Sequence, residues 1–111
     1  MSTSSDTNQL DELFTALSNS KRRDIVGLLA LHPATVKQLA DREDLSLPAI
    51  HKHIRLLESS GLIVRKKVGR TNFVALRRTG LKQVQNWAQQ FRTDWGNDKE
   101  TLENYITSLR S

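Results

Sequence analysis

Residues 46–63 read SLPAIHKHIRLLESSGLI, and the fold follows from how that stretch distributes its apolar side chains. At about 100° per residue, Leu47, Ile50, Ile54 and Leu57 fall within an arc of roughly 80°, a stripe that faces a core. Lys52 and Ser59 lie diametrically opposite, flanked by Pro48, Ala49 and Arg55, while His51 and His53 occupy the two borders. Ser46 is suited to cap the helix, and Pro48 is tolerated in the first turn, where its missing N–H has no intrahelical partner. Gly61 stands where a left-handed C-terminal residue is wanted, with apolar Leu62 behind it. Leu56 projects about 40° from the centre of the outward face, where an apolar residue has no obvious use, and is expected to pack under the hairpin that follows.

Upstream, Leu10, Leu13, Phe14 and Leu17 recur at helical spacing until Ser18, Asn19 and Ser20 stop one helix and cap the next. Ile25, Val26, Leu28 and Leu29 mark that second helix, which closes before His32 and Pro33. Thr35 and Gln38 have capping-box spacing for a short third helix with Val36, Leu39 and Ala40 inward, and residues 43–45 make a tight connection to Ser46. Downstream the period changes from helix to strand. Residues 62–67 and 72–76 read as two short strands around a glycine-containing turn, Val68, Gly69, Arg70 and Thr71. From Thr79 onward Leu81, Val84, Ala88, Phe91, Trp95, Leu102, Tyr105 and Leu109 follow steps of three and four, with Asp98 in the vacant slot. That is a heptad-like seam on one long helix. Gly96 and Asn97 weaken it.

The 111 residues carry a net charge of +5, unevenly placed. Residues 46–78 hold eight Lys/Arg (Lys52, Arg55, Arg65, Lys66, Lys67, Arg70, Arg77, Arg78) against the single acid Glu58, a balance of +7 that leaves −2 for the rest. Such a concentration is the footprint of a polyanion partner. Length and composition fit one soluble domain, no apolar run approaches a membrane span, and the first residues lack the pattern of a secretory signal. A cytoplasmic location is expected. With no cysteine there is neither a disulfide nor a thiolate metal site.

A short third helix, a tight turn and a half-buried fourth helix make a helix-turn-helix, and the basic hairpin beyond it makes a wing. The expected fold is mainly α with a small β-hairpin, a winged helix-turn-helix of order α-α-α-α-β-β-α. Residues 1–7 are a flexible N-terminus, 8–78 the core that binds DNA, and 79–111 a C-terminal dimerisation helix belonging to the same domain. Small residues at 48 and 49 let the fourth helix approach base edges, and its N-terminal N–H groups suit phosphate.

Residues 46–63, together with residues 17–29 (LSNSKRRDIVGLL), resemble the recognition-helix and second-helix motifs of the arsenic-repressor (ArsR-type) family of bacterial winged-helix regulators. The run Trp87, Phe91, Trp95, Leu102, Tyr105 and Ile106 is similar to the terminal helix of a branch without metal sites. The resemblance spans about residues 10–109. It implies a homodimer through the first and last helices that represses by binding an operator in double-stranded DNA. Carried over by position, Ser46, Pro48, Ala49, His51, Lys52 and Arg55 meet DNA, with Lys66, Lys67, Arg70 and Thr71 at the wing tip. The dimer interface falls to Leu10, Leu13, Phe14, Leu81, Val84, Trp87, Ala88, Phe91, Trp95, Leu102, Tyr105, Ile106 and Leu109. His51 departs from the small hydroxyl residue of many relatives.

Metal-sensing relatives use thiolates on the third helix or carboxylates and imidazoles on the last. Here Thr35, Val36 and Lys37 occupy the former positions, and the last helix has Asp94, Asp98, Glu100 and Glu103 but no histidine. His51 and His53 point about 200° apart and cannot share an ion. No metal and no cofactor is expected. No glycine-rich phosphate loop, nucleophile–base pair or carboxylate dyad suggests an enzyme. Two other readings compete: a winged-helix module whose basic face binds an acidic protein, and the same DNA-binding dimer gated by a small apolar effector.

Overall fold

The computed structural model describes residues 3–91 and 98–110. Its elements are α1 (Thr3–Leu17), α2 (Ser20–Leu31), β1 (Ala34–Thr35), α3 (Val36–Glu43), α4 (Leu47–Ser59), β2 (Ile63–Val68), β3 (Thr71–Leu76), α5 (Arg78–Gln89) and α6 (Asp98–Arg110). Local chemistry sets most boundaries. Asn19 caps α2 by accepting from the Arg22 N–H. Thr35 and Gln38 form the full capping box of α3, the Thr35 hydroxyl accepting from Gln38 N–H and the Gln38 amide oxygen from Thr35 N–H.

Helices α3 and α4 end in the same way. After α4, Gly61 (φ +88°) sends its N–H to the Glu58 carbonyl and Leu62 to the Leu57 carbonyl. After α3, Asp44 bonds Asp41 and Leu45 bonds Ala40, the paired pattern of a Schellman turn in both places. Asp44 (φ +54°) is the only non-glycine at positive φ among the described residues, a conformation its short polar side chain tolerates. That turn sets α3 against α4.

The three strands form one antiparallel sheet in the order β1-β3-β2. Val68 pairs with Thr71, so Gly69 and Arg70 make a two-residue loop, with positive φ only at Gly69 (+62°) as in a type II′ turn. The two-residue β1, pairing Ala34 with Val74 and Thr35 with Phe73, carries too few residues for periodicity to reveal. One core gathers Leu13 and Ala16 of α1, Ile25 and Leu29 of α2, Leu39 of α3, Ile50, Ile54 and Leu57 of α4, and Leu62, Ile63 and Val74 from the sheet. Helix and wing are thereby fixed to the same centre.

The C-terminal third departs from the expected single helix. α5 stops at Gln89, where Gln90 and Phe91 bond three residues back to Trp87 and Ala88, and α6 begins at Asp98. Such tightened bonds close a helix, and Thr93, Asp94, Gly96 and Asn97 are weak helix formers in sequence. The seam residue Trp95 lies outside the described residues. Of the expected interface residues, Leu13 is 0% exposed and belongs to the protomer's own core. Its step of three from Leu10 and four to Leu17 places it on the inward side of α1. Leu10, Leu81 and Val84 are half-buried against the same core. Phe14 of α1 meets Trp87 of α5 edge-to-face with ring centroids 5.2 Å apart, and Trp87 meets Phe91 at 5.0 Å. All three rings keep exposed area, Ala88 is exposed beside them, and Leu102, Tyr105, Ile106 and Leu109 are exposed along α6, which has no buried residue.

Candidate nucleic-acid interface

α4 lies on the surface with Ile50, Ile54 and Leu57 fully inward. Ser46 caps it, its hydroxyl accepting from Ala49 N–H at 3.3 Å, so the chain enters with Pro48 exposed in the first turn. Lys52, Arg55 and Ser59 are exposed on the opposite pole. The two flanks differ. One, bearing His53 and Leu56, turns toward α1 and α2. The other, bearing Leu47 and His51, turns toward the start of α3 and the wing. There a cleft of about 440 Å³ is lined by Thr35, Val36, Lys37, Leu47, His51, Arg70, Thr71 and Asn72.

Two expectations are corrected by this arrangement. Leu47, assigned to the core stripe, is 52% exposed, because the first residue of α4 projects past the end of the core into that cleft. Leu56 does not lie under the hairpin. It borders a groove with Asp11, Glu12 and Thr15 of α1, on the flank away from the wing, and stays 39% exposed.

The wing shows cations on both faces. Residues paired across an antiparallel ladder share a face, so Lys67 lies with Asn72 and Lys66 with Phe73 on the opposite side. Lys66, Lys67, Arg70 and Thr71 are all exposed. Arg65 differs: its guanidinium meets the Glu58 carboxylate at 3.1 Å, the one salt bridge among the described residues. The structure thus gathers His51, Arg70 and Thr71 into the cleft, sets Ser46, Pro48, Lys52 and Arg55 along exposed α4, and leaves Ala49 half-buried. Lys37 and Leu47 join them unannounced. Lys37 stands inside the capping box, where an exposed first-turn cation was open to notice. Leu47 carried no such signal.

Comparison with known proteins agrees with this geometry. Residues 17–66 match a helix-turn-helix domain family. The chain is 39% identical to a solved ArsR family transcriptional regulator, covering 78% of this chain and 96% of that one with a TM-score of 0.72. This chain belongs to the ArsR family of winged helix-turn-helix transcriptional regulators. It is also 28% identical over 89 residues to the transcriptional repressor SdpR of Bacillus subtilis, covering 80% of this chain and 99% of that protein. A homodimeric winged helix-turn-helix DNA-binding domain from Mycobacterium bovis, 20% identical, shares the fold with a TM-score of 0.66, covering 87% of this chain and 95% of that one. The chain is accordingly a DNA-binding transcriptional regulator, of a family whose matched members are regulators rather than enzymes.

Among the described residues of this ArsR family chain, no group of three or more His, Cys, Asp or Glu is placed to hold a metal ion, and no helix is long and apolar enough to cross a membrane. The histidines are separately engaged. His32 sits beside the Pro33 carbonyl at 2.8 Å, and His51 lines the cleft.

His53 links α4 to the rest of the fold. Arg22, 9% exposed, donates from Nε to the Ala16 carbonyl (2.7 Å), from Nη2 to Thr15 (3.3 Å), and from Nη1 to His53 Nδ1 (3.2 Å). Nδ1 is therefore the acceptor and the neutral ring carries its proton on Nε2. Burial first, then the cations Arg22, Lys21 and Lys52, hold the His53 imidazole below its ordinary range. Below the ordinary value of about 6.5, unfolded chains bind a proton that folded His53 refuses, so its contribution to stability falls as pH falls through that window. Glu43 opposes this. Burial and then Asp24 push its carboxyl up, against Lys21 and Arg42, and among the described residues its Oε1 has no hydrogen-bond partner. Its penalty is relieved on acidification toward the ordinary glutamate range. The His53→Gln variant keeps an acceptor for Arg22 without a titrating ring. Urea titrations between about pH 7 and pH 5 should show the parent losing stability relative to this variant. Parallel curves would remove His53 from the balance.

Proposed function

We propose that this chain is a homodimeric repressor that binds a palindrome-like operator, with α4 in the major groove and the β2–β3 hairpin as a wing along the backbone. The supporting observation is the disposition of cations. Lys52, Arg55, Lys66, Lys67 and Arg70 are exposed on α4 and the hairpin, and among the described residues none of them has an acidic partner. Ser46, Pro48, Ala49, His51, Lys52 and Arg55 read base edges at the α4 end, and Lys66, Lys67, Arg70 and Thr71 hold phosphates. An unpaired cationic surface gains most from a polyanion, where each neutralised phosphate releases condensed counterions.

The dimer rests on Phe14, Trp87, Ala88 and Phe91, continued by Leu102, Tyr105, Ile106 and Leu109 of α6, apolar area that a single protomer leaves in water. The B. subtilis relative is a repressor by name, and the M. bovis domain of this fold is a homodimer. A two-fold axis requires half-sites about one helical turn apart, or a multiple of it. Repression in the cytoplasm follows from that role.

The division of labour predicts two classes of variant. Lys52→Ala and Arg55→Ala should weaken a selected duplex by about 10- to 100-fold and relax its base preference. Lys67→Ala and Arg70→Ala should weaken selected and random duplexes alike and lower the salt slope by about one for each phosphate no longer neutralised. Anisotropy titrations at several salt concentrations distinguish them. Wing variants whose salt slope equals the parent's would sink this assignment.

A further inference from the structure

We propose that Leu47 is a specificity-determining residue that reads the 5-methyl group of a thymine in each half-site. The inference rests on the operator-binding role above and goes beyond it, because Leu47 belonged by its spacing to the core and carries no charge to draw it to DNA. Geometry singles it out. It is the first residue of α4, and recognition helices meet base edges with their N-terminal residues. With Ile50 and Ile54 fully buried, the same helix face passes at Leu47 into the cleft between α3 and the wing, where its side chain is half exposed.

The cleft's composition identifies what enters. Thr35, Lys37, His51, Arg70, Thr71 and Asn72 surround Leu47, and among the described residues no acidic side chain lines the space. That ring suits a nucleic-acid groove edged by phosphates. His51, one turn after Leu47, stands on the same flank of α4, so a base edge reaching Leu47 is also within the region of a hydrogen-bonding ring. An isobutyl group makes no hydrogen bond. In the major groove the one apolar feature that distinguishes a natural base pair is the C5-methyl of thymine. Leu47 therefore discriminates by covering that methyl, and a cytosine at the same place leaves it facing a bare ring edge.

The test replaces thymine by deoxyuridine, which removes the methyl and keeps every Watson–Crick and groove hydrogen-bonding group. A duplex selected by the full-length chain from a random-sequence pool is remade with each thymine pair substituted symmetrically in both half-sites. Affinities are then measured for the parent and for Leu47→Ala. One symmetric substitution should weaken the parent about fourfold per half-site, the scale of one buried methyl, and should leave Leu47→Ala unchanged. Leu47→Met, which keeps apolar reach, should retain the parent's sensitivity, and thermal melting confirms that both variants fold. If the parent binds its selected duplex specifically but no substitution distinguishes it from Leu47→Ala, the methyl-reading role is overturned while operator binding stands. Absence of any selected sequence overturns both.

Discussion

Arg22→Met is expected to lower the unfolding free energy by about 2–4 kcal/mol, measured by urea denaturation near neutral pH. The cost comes from what Arg22 satisfies. Helix α1 ends at Leu17 without a glycine, so its final carbonyls need donors from elsewhere. Arg22 reaches the Thr15 and Ala16 carbonyls with two of its nitrogens and the His53 ring with a third. Methionine keeps the apolar stem and removes all three donors, leaving the buried Ala16 carbonyl and His53 Nδ1 without theirs, while the Thr15 carbonyl keeps the Ser18 N–H and hydroxyl. Arg23 supplies the contrast. Its exposed guanidinium makes a single bond to the Leu17 carbonyl at 2.8 Å, and water replaces it readily. Arg23→Met should cost under about 1 kcal/mol. Equal losses in the two variants would contradict the capping role.

The second large effect belongs to Gly80. It is buried in the first turn of α5, and a Cβ there would overlap the Gly61 carbonyl oxygen, with the Gly61 carbonyl carbon at 3.0 Å. Both obstacles are backbone and neither can rotate aside. Gly61 itself closes α4 at positive φ, so Gly80 marks the place where α5 meets the end of α4. Gly80→Ala should destabilise the fold by about 1–3 kcal/mol, through overpacking that pushes α5 away from this junction. For a domain near this size, that lowers the melting temperature by several degrees. Gly69→Ala is the control. Gly69 also has positive φ, but a Cβ there meets nothing within 4 Å, so its cost is the backbone strain alone, about 1–2 kcal/mol. A Gly80→Ala protein as stable as the parent would mean that α5 sits off this contact.

The helix boundaries were legible because each depends on chemistry within four residues. Asn19, the Thr35–Gln38 box, Ser46 and Gly61 all act where the sequence placed them. The hairpin was legible through its change of period and its glycine. What escaped depends on contacts between distant segments. The strand β1 is defined only by its partner β3, and Arg22 is defined by helix ends six and seven residues back and by an imidazole 31 residues on. Gly80 is defined by the backbone carbonyl of Gly61, in a different element. Leu47 shows the limit most plainly. Angular position on a helix says which way a side chain points, but not whether the core extends far enough along the axis to cover it. The long terminal helix failed for a related reason: the three-and-four spacing persists across Gly96 and Asn97, although α5 ends at Gln89 and α6 begins at Asp98.

The most direct measurement is the affinity of the purified full-length chain for a selected duplex and for random duplex DNA, by fluorescence anisotropy from about 50 to 300 mM salt. Tight binding to the selected duplex, far above random, steep in salt and with two protomers per site, is the predicted result. Equal affinity for both duplexes across the range, or binding indifferent to salt, would contradict a dimer that reads its operator with α4 and holds it with the wing.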